Sequence, residues 1–394
     1  MLIDDLPYLD LADPGFSTRS RAVCEARAAH WCARTPYGVA VLRHAQAGRL
    51  LRDRRLRQGS HAWPDYLGLQ GTFADFWRRS LIGQEGAAHK TLRAVAQPAL
   101  SPAFIEGLEP RFQTAAEALV AGLPRDRPFE FMAAFAQPYA GCAVGVLLDL
   151  DEETWVQAAR DASALGLAMG VDGKRHEPIF NAACARLSAL AVRLIDRARS
   201  GVDRSSYAAR LVQGADAAGG VDQQALIDLI VISIFGAVDT TRAQLGLAMS
   251  LFADHPDQWA LLRADPSLAG AAVEEAIRSR PTTTWATRET LESVEIDGVV
   301  IPAATTVHVL VHASARDPAI CEDPAFDITA RRRNHFGFGG GAHHCLGQQV
   351  ARTDIAIALQ ALSTGFENFR IEGEVEWLPE SGNTGPVSLP LSLT

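Results

Sequence analysis

The chain has 394 residues and a formal net charge of −9, long enough for a large core and, on size alone, for two or three domains. Its acidic balance argues against nucleic acid as a partner. The N-terminus lacks a basic n-region and an apolar h-region, no run approaches the ~18 apolar residues that span a bilayer, and the six cysteines lack paired spacing, so a soluble, cytoplasmic chain with reduced thiols and no membrane partner is expected.

No repeat, charge block or low-complexity linker marks a boundary, and residues 214–220 are the nearest thing to a linker. A single domain over 1–394 is expected. Residues 17–34 read as a helix with Ser17 or Thr18 as N-cap. Gly38-Val39-Ala40-Val41-Leu42 reads as a short strand, and 44–57 as a basic amphipathic helix. Trp63, Tyr66, Phe73, Phe76 and Trp77 lie among turn formers, which reads as loop with core-filling aromatics. Helix returns at 85–98, with His89 and Arg93 at i, i+4 on one face. Helices then dominate through about residue 275, with breaks near 124–128, 170–173 and 215–220. Residues 294–301 alternate around Asp297-Gly298, a strong hairpin signal, and 306–311 offer another strand. The fold class is mainly α with a smaller antiparallel β region, its β-rich part near 36–43 and 286–312.

Asp222 can cap a helix through Leu226, Ile227, Leu229, Ile230, Val231, Ile232, Ile234 and Phe235. It is apolar all round and so should cross the middle of the domain. Its composition changes at Gly236-Ala237-Val238-Asp239-Thr240-Thr241-Arg242. Gly236 and Thr240 are i, i+4, so a missing side chain lies beside a hydroxyl and opens a small polar notch. A helix end turning polar, with Thr240 bonded back to a carbonyl, is the competing reading. Glu275 and Arg278 share a helix face, by default as a surface ion pair.

The loop Phe338-Gly339-Gly340-Gly341-Ala342-His343-His344-Cys345-Leu346-Gly347 runs into a helical pattern that carries Val350, Ile355, Leu359 and Leu362. Cys345 is thereby placed at a helix start, where the dipole favours thiolate. A lone thiolate among glycines suits one axial bond to iron. The residues also allow a simply buried cysteine, a zinc site through His343, His344 and Cys345, or a dinucleotide fingerprint over Gly337, Gly339 and Ala342. The fingerprint reading lacks the preceding apolar strand.

The fuller pattern F-G-x-G-x-H-x-C-x-G, followed by Ala351-Arg352, resembles the haem-binding loop of the cytochrome P-450 superfamily, in its soluble, bacterial-type form. The resemblance implies that fold, with haem b between the long central helix and the Cys345 loop, Cys345 as iron ligand, and O2 as co-substrate. Phe338, Gly339, His343 and Gly347 fall on the loop's cofactor-binding positions, and Gly236 on the central helix. The segment around Asp239 and Thr240 is similar to the family's oxygen-activation motif, which implies proton delivery by both; Ala237 departs from it. Glu275 and Arg278 match E-x-x-R, about 70 residues before the cysteine, implying a buried structural pair. The family's second arginine is replaced by Ala325, with Arg331 as the candidate substitute. His89 and Arg93 match H-x-x-x-R, and Arg288 the haem-contacting arginine. With His343 they would meet the haem propionates.

By family position, Trp63, Tyr66, Phe73, Phe76 and Trp77 would roof the substrate pocket, Ile232 and Phe235 would line the central helix, and Thr283, Thr284 and Trp285 would flank the haem edge. The implied function is a monooxygenase that hydroxylates, or oxidatively cyclises or couples, a medium-sized, largely apolar small molecule of secondary metabolism. A haem-thiolate sensor or ligand-binding protein without turnover is the alternative, disfavoured by Asp239-Thr240. About 42 residues follow Arg352, so no fused reductase is expected. Electrons would come from a separate ferredoxin and ferredoxin reductase, steered by a basic patch of Lys90, Arg331, Arg332, Arg333 and Arg352.

Overall fold

The computed structural model describes residues 3–170, 172–332 and 334–394. The helix Gln223–Asp254 is its axis. Asp222 caps it, accepting a hydrogen bond from the Ala225 amide, one of the donors a helix start leaves unpaired. Its first half, Leu226 to Val238, is buried against Phe73, Phe76, Trp77, Val95, Phe112 and Phe180. Its second half, Leu245 to Phe252, is buried with Phe131, Phe135, Tyr139, Trp259, Ile355, Leu359 and Phe366. One helix thus joins two apolar cores, which explains an all-round apolar sequence in a folded body.

Among the described residues, this helix and the stretch Gly173–Arg199 are long and apolar enough to cross a membrane by length and composition. That corrects the expectation that no run comes close. A helix packed on several sides draws on the same residues as a bilayer span, and both helices pack within the fold.

A five-stranded sheet flanks the helical body, in the order Cys32–Thr35, Gly38–Val41, Thr306–Leu310, Trp285–Thr290, Leu56–Gln58. The pairing of Gly38–Val41 with Thr306–Leu310 is parallel and the rest antiparallel. Val294–Ile296 and Val299–Ile301 form the expected hairpin, with Asp297 and Gly298 both at positive φ. Further strands at Phe129–Glu130, Phe369–Ile371, Glu376–Trp377, Pro386–Ser388 and Pro390–Leu393 extend β structure beyond the expected ranges.

Three early expectations need correction. The first helix is Arg21–Ala29 with Ser20 as cap; Ser17 and Thr18 instead donate to the Glu380 carboxylate. The basic helix stops at Leu50, and the chain turns into the sheet at Leu56. The aromatic stretch is not loop: it forms the helices Trp63–Tyr66 and Thr72–Arg79, whose buried face is Phe73, Phe76 and Trp77. Its turn formers, Pro64, Gly68 and Gly71, lie at or between helix ends, where they compete least with helix.

Candidate active site around Cys345

The cysteine loop is braced from behind. Gly341 has φ +70°, and a Cβ there would lie 2.1 Å from the Leu51 carbonyl oxygen. Only glycine suits that backbone and that approach. Backbone bonds from Gly339 to Phe336 (2.8 Å) and from Cys345 to Phe338 (2.9 Å) close the turn. Cys345 is accessible, and its sulfur accepts from the Gly347 amide. Although the residue is accessible, the protein packed around the sulfur desolvates it and pushes the thiol up, against the opposing pull of that amide and of Arg93 and Arg352. Cys345 lies three residues before the helix Gln348–Gly365 begins, at the edge of the reach of the helix dipole.

On the cysteine-helix side the charges are closed into pairs. Arg278, 2 % exposed, gives two 2.6 Å bonds to Glu275 and further bonds to Ser279 Oγ and the Pro324 and Ala325 carbonyls. The residue that joins this pair is Arg332, not Arg331. Its Nε is 3.6 Å from Glu275, and it donates to the Ala325 carbonyl at 2.7 Å and to the Asp323 carbonyl. Arg331 is exposed. Arg352 pairs with Glu274 and stacks 4.3 Å over the Phe338 ring. Burial would raise Glu274, but His335 and Arg352 outweigh it and hold the carboxyl at about 2. Two members of the expected basic patch, Arg332 and Arg352, are thus neutralised internally; Lys90 is exposed, and Arg333 lies outside the described residues.

A second polar cluster is open. Arg288, 4 % exposed, donates to the Gly340 and Thr287 carbonyls at 2.9 Å and to Gln58 Oε1 at 3.3 Å. Burial pulls it down to about 10, with Glu85 opposing. The His343 and His89 rings are in contact, centroids 4.2 Å apart and tilted by 39°. His343 Nε2 donates to Glu85 at 2.9 Å, whereas His89 Nε2 is buried without a partner. Burial pushes His89 down, and Arg93 adds to that. Arg93 makes no hydrogen bond or ion pair to a described residue, and burial pulls it down while Cys345 pulls it up. Unmet buried donors are costly. The buried, unpartnered His89 ring nitrogen and half-buried Arg93, beside buried Arg288 and an accessible thiol, fit a group that brings carboxylates and takes one sulfur ligand. Haem is such a group. Among the described residues no set of three or more His, Cys, Asp or Glu is arranged to hold a metal ion.

Across the central helix, Ile232, Phe235, Gly236, Asp239 and Thr240 form a stripe at spacings of three and one, each at least partly accessible, while the rest of that segment is mostly buried. Nothing lies within 4 Å of where a Gly236 Cβ would be. Thr240 Oγ1 donates to the Gly236 carbonyl at 2.6 Å, so the notch and the back-bond are one feature rather than alternatives. Asp239 is 3.5 Å from Arg242, and burial raises its carboxyl against that pull. Gly166 leaves just enough room, since a Cβ there would lie 2.8 Å from Asp239 Oδ2. Ala237 packs against the first core.

The aromatic positions divide. Phe73, Phe76 and Trp77 are core residues, almost fully buried, with Phe73 stacked on Trp77 and edge-on to Phe180. Tyr66 is 71 % exposed. Trp63 is tied to the Ala168 carbonyl. Thr284 is buried and bonded to the Gly382 carbonyl, Trp285 packs on His308, and Thr283 donates to Asn383. Sequence reading gave no site role to Glu85, Gln58 or Arg242 and placed Arg332 in a surface patch. Glu85, four residues before His89, and Arg242, two after Thr240, stood near motifs.

The family model for cytochrome P450 matches residues 169–390. The chain is 36 % identical to luteothin monooxygenase of Streptomyces thioluteus over 98 % of this chain and 96 % of that one. It is 30 % identical to 6-deoxyerythronolide B hydroxylase of Saccharopolyspora erythraea over 76 % and 74 %. The crystal structure of CalO2 superposes with a TM-score of 0.87 at 26 % identity, covering 96 % of this chain and 98 % of that one. The chain belongs to the cytochrome P450 family. It is a haem-dependent monooxygenase that uses O2, acts on a small molecule and draws electrons from a redox partner.

Proposed function

We propose that Cys345 would bind the iron of haem b through its sulfur, and that Arg93, His89, Arg288 and His343 would meet its propionates. The observation that carries this reading is that His89 Nε2 and Arg93 lack a partner among the described residues, beside an accessible thiol. Phe338, Gly339 and Gly347 shape the loop. Glu275 and Arg278 hold the surrounding backbone and touch no reacting atom. When bound, haem with a thiolate ligand supplies cleavage of the O–O bond.

The chain's own part on the other face is proton handling. Asp239, raised by burial, keeps its proton to higher pH than an exposed carboxyl and can pass it inward. Thr240 spends its own hydrogen on the Gly236 carbonyl, which leaves its oxygen lone pairs to accept and orient a donor in the notch.

The substrate in this reading is a medium-sized, largely apolar molecule of secondary metabolism, hydroxylated or oxidatively cyclised or coupled. The luteothin monooxygenase relative supports that class. Ile232, Phe235 and Thr283 are accessible enough to touch it, while Phe73 and Trp77 shape the wall from behind. Ferredoxin and ferredoxin reductase in the cytoplasm are the proposed electron source. Reduction under carbon monoxide tests the core of the proposal: the wild type should give a thiolate-type Soret band and Cys345→Ala should lose it. Survival of that band in the variant would refute the ligand assignment.

A further inference from the structure

Glu85 ties three separate parts of the chain to one carboxylate. It stands just before the helix Gly86–Ala99 that carries His89 and Arg93, yet its side chain makes no capping bond to that helix. Instead it accepts from the backbone amide of Gln58 at 2.5 Å, on the edge strand of the five-stranded sheet. It also accepts from His343 Nε2 at 2.9 Å, in the cysteine loop. Gln58 in turn accepts from Arg288 through its amide oxygen, so the buried arginine belongs to the same network.

A carboxylate can only accept, so His343 Nε2 carries the proton and His343 is held as that tautomer. His89, whose ring lies tilted against it at 4.2 Å, has its Nε2 buried and without a partner among the described residues.

From this geometry we propose that Glu85 is a positioning residue which ties His343 of the cysteine loop to the sheet edge, beside the helix face of His89 and Arg93 that meets a haem propionate. The inference rests on haem binding beside Cys345 and deepens that reading. Partners of this kind, one shell removed from a cofactor, typically change its affinity by about 10–100-fold when deleted. A carboxylate beside the cofactor also favours its more oxidised, more positive state by simple electrostatics.

Two variants of the holoprotein separate the tie from the charge. Glu85→Ala removes both, and should transfer haem to excess apomyoglobin about tenfold faster than wild type. Glu85→Gln keeps an acceptor for the Gln58 amide and a partner for the His343 ring but removes the charge. It should hold haem at near the wild-type rate while its reduction potential shifts positive. A structural contact alone would not move the potential of the isosteric variant. Wild-type potential in Glu85→Gln together with a wild-type transfer rate in Glu85→Ala would overturn the proposal. A thiolate-type carbon monoxide spectrum in the wild type, recorded alongside, keeps that failure distinct from failure of the haem assignment itself.

Discussion

Two arginine clusters flank the cysteine loop, and they differ in how far the protein satisfies them. Arg278 is buried with Glu275, Ser279 and two carbonyls as acceptors, and Arg332 closes the same knot. Arg93 and His89 are at least partly buried, and among the described residues neither Arg93 nor His89 Nε2 has a partner. Folding has completed the first cluster and left the second short. A satisfied buried charge marks a part of the scaffold, because removing one partner strands the other. An unsatisfied one marks a place for a ligand, because only a ligand can repay its desolvation.

Breaking the satisfied cluster should have the largest effect. Glu275→Ala strands a buried guanidinium and should cost ~3–5 kcal/mol, read as lost yield of folded holoprotein or a large fall in denaturation midpoint. Next comes the central helix. Asp239→Asn removes a group that holds a proton into a higher pH range, and turnover should fall about 100-fold. Because burial raises this carboxyl, wild-type turnover that depends on the acid form declines as pH rises through the raised value. That limb should vanish from the pH profile of the variant.

A smaller test contrasts neighbours. Arg332→Ala should destabilise by about 1 kcal/mol through lost charged hydrogen bonds, whereas exposed Arg331→Ala should stay within about 0.5 kcal/mol. Chemical denaturation of the pair shows which arginine completes the knot. The smallest effect concerns Asp354, buried on the cysteine helix and hydrogen-bonded by Thr241, whose carboxyl burial pushes well above its usual range. The native state keeps that proton while the unfolded state releases it. Its contribution is therefore whole below the ordinary carboxylate range and is lost as pH rises toward the native value. Asp354→Asn should flatten that part of the stability-against-pH curve.

The sequence announced some of this well and some not at all. Local signals survived: the Asp297-Gly298 hairpin, the Asp222 cap and the glycine-rich cysteine loop each depend on residues close in the chain. The aromatic stretch at 63–77 failed because its turn formers fall between two short helices, and burial of Phe73 and Trp77, a tertiary effect, decides the outcome. Arg332 was passed over for Arg331 because a one-residue choice in an irregular segment turns on where each side chain points. Glu85 stayed hidden for the same kind of reason, since its partners Gln58 and His343 come from opposite ends of the chain. The central helix looked like an interior helix and also passes for a membrane span, since composition alone cannot tell one apolar environment from another.

The contrast between the two clusters is tested most directly on the unsatisfied one. Haem transfer to excess apomyoglobin should be measured for holoprotein carrying His89→Ala and Arg93→Ala together, with the far-ultraviolet circular dichroism spectrum recorded on the same sample. The expected result is haem loss at least about tenfold faster than wild type with an unchanged helical spectrum. Wild-type haem retention, or a collapsed helical spectrum, would contradict the account, because these donors would then belong to the scaffold and not to the cofactor.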